Sequence, residues 1–411
     1  MRKFFSLAVA VIAMTACSSK QEVTNPVFTM DTHLHVDVPM EKKDMPGPDV
    51  DLRTAMQKAG MNAVGMTFAV DYVRLKYTGH ALERFNNALD GQDAILKYSK
   101  MKRALNGDDL REAVETGEPI AVQCVEGAHF LEGDTTRIKD AYDRGLRVFC
   151  LLHDNDAAPA LGDVYTNEPK FGGLTELGAA TIRECERLGI LVDLAHCDST
   201  TIVGALKVAT KPVVVSHTGL STLADTTSFM GKMMAKRTIT PHHAKMIADK
   251  GGVIGFWPHE MHSPEEFAKG IRAMVDIVGI DHVCIGTDSK ITEEIHEWEP
   301  WGEDKKDMGP KPEGDKGPRP EGMDEGPHDG PRPDGKPMGD VPKGDKGDKG
   351  DAPKGMPQHD PNAINHVWND APDSFFPSVI RCLTAEGFSD EDIRKICGEN
   401  FLRVFDEATK K

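Results

Sequence analysis

Eight short apolar runs, at residues 28–33, 63–70, 120–125, 147–152, 191–195, 213–216, 253–256 and 282–286, recur along this chain with helix-period segments between them. Segments 174–188, 201–208, 241–250 and 264–278 carry amphipathic spacing, and Gly189, Gly251, Gly252 and Gly279 stand where such helices would stop. Short apolar runs alternating with helices build a parallel sheet covered on both faces. Eight repeats predict an α/β protein, a single (β/α)8 TIM barrel. A doubly wound open sheet shares the alternation, but no Gly-x-Gly-x-x-Gly fingerprint follows the first run.

Ionisable residues cluster where these runs end. His33 and His35 close the first, Glu126 follows the third, His153 the fourth, His196 the fifth, His217 the sixth and Asp288 the eighth. One histidine after a strand is most simply a hydrogen-bonded structural residue. Six such ends, all on the face where barrels build active sites, predict a site. His33 and His35, two apart on an extended strand, point the same way and can grip one ion. Imidazole and carboxylate without thiolate suit Zn²⁺, with Mn²⁺ or Fe²⁺ also compatible, so the strand ends read as a divalent-metal site. His242 and His243, at a helix start, read as surface residues. His259 and His262 fall just past the seventh run, near the mouth, and strand alternation turns Cys197 away from the metals into packing.

Two pieces fall outside the alternation. Residues 302–361 hold 13 Gly and 12 Pro among 60, with only 6 apolar residues, too few to offset the entropy of ordering. The glycines keep no strict period of three, so the segment reads as disordered low complexity rather than a triple helix, serving as a spacer or as an arm for an unknown partner. At the other end, Arg2 and Lys3 precede the apolar stretch 4–16, too short for a comfortable membrane span and followed by polar residues, which reads as an export signal. The expected division is a signal peptide at 1–16, a tether at 17–27, the catalytic barrel at 28–301, the insert at 302–361 and C-terminal helices completing the barrel at 362–411. The net charge of −17 and the 6% aromatic content argue against a nucleic-acid binder, which needs clustered cations and stacking platforms. Seven cysteines remain beyond Cys17 with no Cys-x-x-Cys pair, so packing, with at most a disulfide or so, is expected of an exported chain.

The run Met14-Thr15-Ala16-Cys17 resembles the bacterial lipobox, which implies lipidation of Cys17; ordinary cleavage near Ala16 is the alternative. Ser18 after the cysteine resembles the outer-membrane default, implying an anchor on the cell envelope that faces the periplasm or the cell surface.

Within the barrel, the chain resembles the membrane dipeptidase (renal dipeptidase) family of zinc peptidases in the amidohydrolase superfamily, from Phe28 to Phe405 around the insert. The carrying motifs are Val125-Glu126-Gly127-Ala128-His129, Gly145-Leu146-Arg147 running into Leu151-Leu152-His153, Gly173-Leu174-Thr175, Val192-Asp193-Leu194-Ala195-His196, Val215-Ser216-His217, Gly251-Gly252-Val253-Ile254-Gly255, Gly286-Thr287-Asp288 and Gly398-Glu399-Asn400-Phe401-Leu402-Arg403-Val404-Phe405. Their order and spacing carry the resemblance together. It implies two zinc ions bridged by Glu126, one further held from the first strand by His33 and His35 and the other by His196 and His217. His35 stands where the family has aspartate, exchanging an anionic oxygen for a neutral nitrogen. The resemblance also implies Asp288 as the catalytic carboxylate, His153 and Arg237 as substrate contacts, and a homodimer.

The implied reaction is hydrolysis of a dipeptide by a hydroxide bridging the two zinc ions, with Asp288 as general base and then acid. Arg237 would clamp the free C-terminal carboxylate, though by spacing alone it reads equally as a solvated loop cation beside Lys232 and Lys236. The mouth departs from the family: Ser289-Lys290-Ile291 replaces Phe-Asp-Gly after Asp288, and Gly255-Phe256-Trp257-Pro258-His259 lacks the usual asparagine. A hydrolase of lactams, N-acyl amino acids or other small amides therefore stays open, as does an inactive surface binding protein.

Overall fold

The computed structural model describes residues 27–36, 38, 40–41, 50–71, 74–259, 261–291 and 374–410. The signal segment, Cys17 and the insert 302–361 lie outside the described residues. Eight strands follow in chain order: β1 (Met30–His35), β2 (Ala63–Ala69), β3 (Ile120–Glu126), β4 (Leu146–Cys150), β5 (Leu191–Asp193), β6 (Val214–Leu220), β7 (Val253–Phe256) and β8 (Val283–Ile285, resuming at Ser289–Lys290). Each overlaps a predicted apolar run, although Ser289–Lys290 lies past the eighth. Each pairs in parallel with the next, from β1 through to β8.

The sheet closes through a break in β8. Val283–Ile285 pairs with β7, whereas Ser289–Lys290 pairs with β1. Between them the Gly286 amide donates to the Phe256 carbonyl at 3.3 Å and the Asp288 amide to the His33 carbonyl at 3.0 Å. A strand that changes partner over three residues leaves the middle of the break free of ladder geometry, and Asp288 sits there. The architecture is the (β/α)8 barrel that the alternation predicts.

The helices start and stop on local chemistry. Thr175 caps Glu176–Leu188 by accepting from the Gly178 amide, and Gly189, at φ 88°, ends it in the left-handed region. Ser263 caps Pro264–Val278, with proline in the first turn where its missing N–H costs nothing. The C-terminal helix Asn400–Thr409 has a different task. Its Phe401, Val404 and Phe405 pack with Met30, Ala63, Val122, Val148, Leu191, Val214, Val253 and Cys284 near the strand starts, plugging the barrel at the end opposite the strands' carboxyl ends. The seven described cysteines are all buried free thiols, and no disulfide joins them. Each behaves as a small hydrophobe, and the disulfide allowed by the export reading is not formed among them.

Two glycines make the floor of the site. A Cβ on Gly255 or Gly286 would lie 1.9 or 1.8 Å from the Ser216 carbonyl oxygen. Both contacts are with backbone, which cannot swing aside. The space is used by Thr32, whose hydroxyl lies 2.8 Å from the Ser216 carbonyl and 3.0 Å from that of Ile285. Gly286→Ala should therefore destabilise the fold by about 3 kcal/mol or more, read as a lower urea midpoint with unchanged slope.

Candidate metal centre

Five imidazoles meet one carboxylate at the carboxyl end of the barrel. Glu126 is the last residue of β3 and is fully buried. His33 and His35 end β1 and rise from the same side of it. His153 and His196 stand three residues past β4 and β5, and His217 lies in β6 where its register with β7 slips between Val215 and Thr218. Such irregularities re-aim side chains and recur beside active sites.

The Nε2 atoms of His196, His153, His33, His35 and His217 lie 2.7, 3.4, 3.5, 3.5 and 3.6 Å from the Glu126 oxygens. Neither oxygen accepts a hydrogen bond of good geometry, and His33 Nε2 also has no partner. His196 and His217 face each other Nε2 to Nε2 at 3.1 Å, where at most one of them can donate. A buried carboxylate without donors, ringed by imidazole nitrogens, is a donor set for a divalent cation. Three groups have spacing suited to an ion: His33, Glu126 and His217; His33, His35 and Asp288; and Glu126, His153 and His196. Glu126 belongs to two of them, as a bridging ligand would.

The far nitrogens of the rings are tied down. Ser216 Oγ lies 3.0 Å from both His33 Nδ1 and His217 Nδ1, so one hydroxyl orients two rings. His196 Nδ1 has Tyr165 Oη at 3.0 Å and Asp154 Oδ1 at 3.2 Å. His153 Nδ1 meets Asp71 Oδ1 at 2.6 Å, and the other Asp71 oxygen accepts from the backbone and side-chain amides of Asn155. Holding Nδ1 turns Nε2 inward and fixes the ring. Asp288 Oδ1 is 3.1 Å from His35 Nε2, and its Oδ2 is 3.5 Å from His259 Nε2. Four non-glycine residues among those described have positive φ, and two of them are His196 and Asp288. Backbone strain of this kind concentrates at functional sites.

Burial pushes the Glu126 carboxyl up, but His153, His33 and His196 outweigh it and hold it well below the usual carboxylate range. Asp288 is likewise held low, against burial, by His217, His259 and His35. Burial and the neighbouring His33 push His217 well down, leaving it a neutral imidazole with a lone pair to give. Burial alone would lower His153, yet Asp71 and Glu126 raise it to about 10, which keeps it a donor near neutral pH.

All seven strand-end residues predicted from sequence, His33, His35, Glu126, His153, His196, His217 and Asp288, lie in this one cluster. His153 Nε2 lies 3.4 Å from a Glu126 oxygen, inside the cluster. Arg237 stands at the edge, where Nη2 donates to Asp154 Oδ2 at 2.7 Å, so it is no solvated loop cation. The sequence assigns no role to Asp71, Asp154 or Tyr165, nor to Ser216, which it places in a motif only. Asp71 carried a readable signal, since it follows β2 as the other site residues follow their strands. Asp71→Asn should lower kcat/KM by about 10–100-fold while metal content is kept. Because Asp71 raises the His153 pKa, its loss should also move the basic limb of the pH profile to lower pH.

A sequence model of the membrane dipeptidase family, peptidase family M19, matches residues 18–302 of this chain. The chain belongs to that family. Dipeptidase verJ of Clonostachys rogersoniana is 26% identical over 201 residues, covering 47% of this chain and 49% of that protein. The match thus spans about half the length of that relative. Among solved structures, an amidohydrolase from Pseudomonas aeruginosa aligns over 94% of this chain and 97% of its own, with a TM-score of 0.62 at 18% identity. A metallo peptidase from Rhodobacter sphaeroides, liganded with a phosphinate mimic of the dipeptide L-Ala-D-Ala, aligns over 93% and 100%, with a TM-score of 0.59 at 15% identity. At these identities the likeness is one of fold. Family membership and the imidazole-carboxylate cluster together imply divalent metal binding.

Proposed function

We infer that this chain is a metal-dependent dipeptidase that hydrolyses the peptide bond of small peptides at two divalent ions, zinc in the first instance. The observation that carries the reading is the convergence of five imidazole nitrogens on the buried Glu126 carboxylate, whose oxygens have no donor of their own. In this reading Glu126 would serve both ions, with His33 and His35 holding one and His196 and His217 the other. Divalent ions bound there would supply Lewis acidity toward a carbonyl and would lower the pKa of water toward neutrality.

The chain's own groups do the rest. Asp288, ionised and beside His35, takes a proton from the attacking water and returns it to the leaving amine. His153, braced by Asp71, donates from Nε2 to the oxyanion that develops on the scissile carbonyl. Arg237 faces the C-terminal end of the substrate. The relative named as a dipeptidase and the dipeptide mimic in the Rhodobacter structure support this substrate class, and that mimic's D-configured second residue puts L,D dipeptides among the first to try.

Hydrolysis of a panel of L,L and L,D dipeptides, beside N-acetylated and C-amidated forms, tests the reading. Metal-dependent cleavage of free dipeptides is expected. A metal-loaded protein that cleaves only N-acyl or lactam substrates would move the assignment to another amidohydrolase activity. Lipidation of Cys17 places the protein on the cell envelope in the same reading. Cys17→Ala should shift it from the membrane fraction to the soluble one, and an unchanged distribution would remove the anchor.

A further inference from the structure

One wall of the cluster is a pair of opposite charges. Asp154 directly follows His153, and its Oδ2 accepts from Arg237 Nη2 at 2.7 Å. Its Oδ1 lies 3.2 Å from His196 Nδ1 but forms no hydrogen bond of good geometry. The Arg237 guanidinium stands over the Tyr165 ring, 5.8 Å from its centroid, while Tyr165 Oη reaches His196 Nδ1 at 3.0 Å. One carboxylate thus touches both an imidazole of the metal centre and the cation at its edge. The Asp154 and Arg237 side chains are 33% and 22% exposed, so the pair reaches solvent rather than lying in the core. Arg237, Tyr165, His196 and His217 also line a small pocket beside the cluster, together with Thr240 and His243.

We propose that Asp154 sets which C-terminal group this site accepts: by occupying Arg237 with its own carboxylate, it makes the subsite take a neutral end, a carboxamide or a lactam carbonyl, about as well as a free carboxylate. The inference rests on the reading that Arg237 faces the C-terminal end of the substrate. A guanidinium without a partner takes a carboxylate through two charge-assisted hydrogen bonds. With an anion already 2.7 Å away, an incoming carboxylate meets a repulsive neighbour and one donor fewer. A neutral carbonyl meets neither that repulsion nor a need for a full positive charge. Selectivity then comes from the element that disfavours one ligand.

The test is the binding of two probes, N-acetylglycine and N-acetylglycinamide, to the metal-loaded full chain, measured by calorimetry. In the unsubstituted protein the two affinities should agree within about threefold. Asp154→Asn, which keeps the size and one acceptor oxygen, should raise the acid-to-amide ratio by about tenfold, and adding Arg237→Met should erase that gain. Asp154→Ser serves as a second variant if the asparagine form does not fold. An unsubstituted protein that already prefers the acid by about tenfold, an unchanged ratio in the variants, or no binding of either probe would each overturn the proposal. The readout needs no turnover. A protein that cleaves no dipeptide would sink the dipeptidase reading, while the ratio would still decide the role of Asp154.

Discussion

Glu126→Gln is expected to lose most of the bound metal and to lower kcat/KM for free dipeptides by more than about a thousandfold. The substitution keeps the shape of the side chain but replaces the carboxylate on which the five rings converge. Removing its charge also releases what it does to its neighbours. Burial pulls the His33 pKa down, yet Glu126 and Asp288 raise it to about 9, so the metal-free protein carries a proton there at neutral pH. Metal must displace that proton. Metal affinity should therefore rise with pH up to about 9 and fall as the solution is acidified, with protons released on binding. Calorimetry in two buffers of different ionisation enthalpy counts those protons. A variant that keeps its metal and its rate would remove Glu126 from the centre.

Asp288→Asn is expected to lower kcat by about a thousandfold while leaving KM and metal content close to those of the unsubstituted protein. Asp288 stands in the break of β8, at φ 51°, with one oxygen 3.1 Å from His35 and the other 3.5 Å from His259. An amide there can still hydrogen-bond to its neighbours but cannot take a proton from water. Steady-state kinetics beside metal analysis separates the two roles open to it: loss of kcat alone marks proton transfer, and loss of metal with it marks a ligand. Asparagine also tolerates the left-handed backbone, so the fold is not put at stake.

Much of this was legible in the sequence, for a physical reason. Strands buried on both faces appear as apolar runs, and a barrel places every strand's carboxyl end on one face. Residues at those ends, from His33 to Asp288, had to meet whatever the loops did. Asp71 obeys the same rule at the end of β2 and was readable by it. Asp154 and Tyr165 were not, because they lie on the long connection between β4 and the helix Glu176–Leu188, where no periodicity fixes a side chain's direction. Arg237 was ambiguous for the same reason until its contact with Asp154 distinguished it from Lys232 and Lys236. The cysteines show the limit of reading a compartment: export permits disulfides, but the thiols of Cys124, Cys150 and Cys284 are committed to packing in or beside the barrel.

Metal analysis of the full-length protein, run beside hydrolysis of free dipeptides, bears on the assignment at its root. About two divalent ions per chain, with cleavage lost on chelation and regained with Zn²⁺, is the expected result. A chain that binds no divalent metal at the Glu126 cluster, or one that is fully loaded yet cleaves no dipeptide, would contradict it.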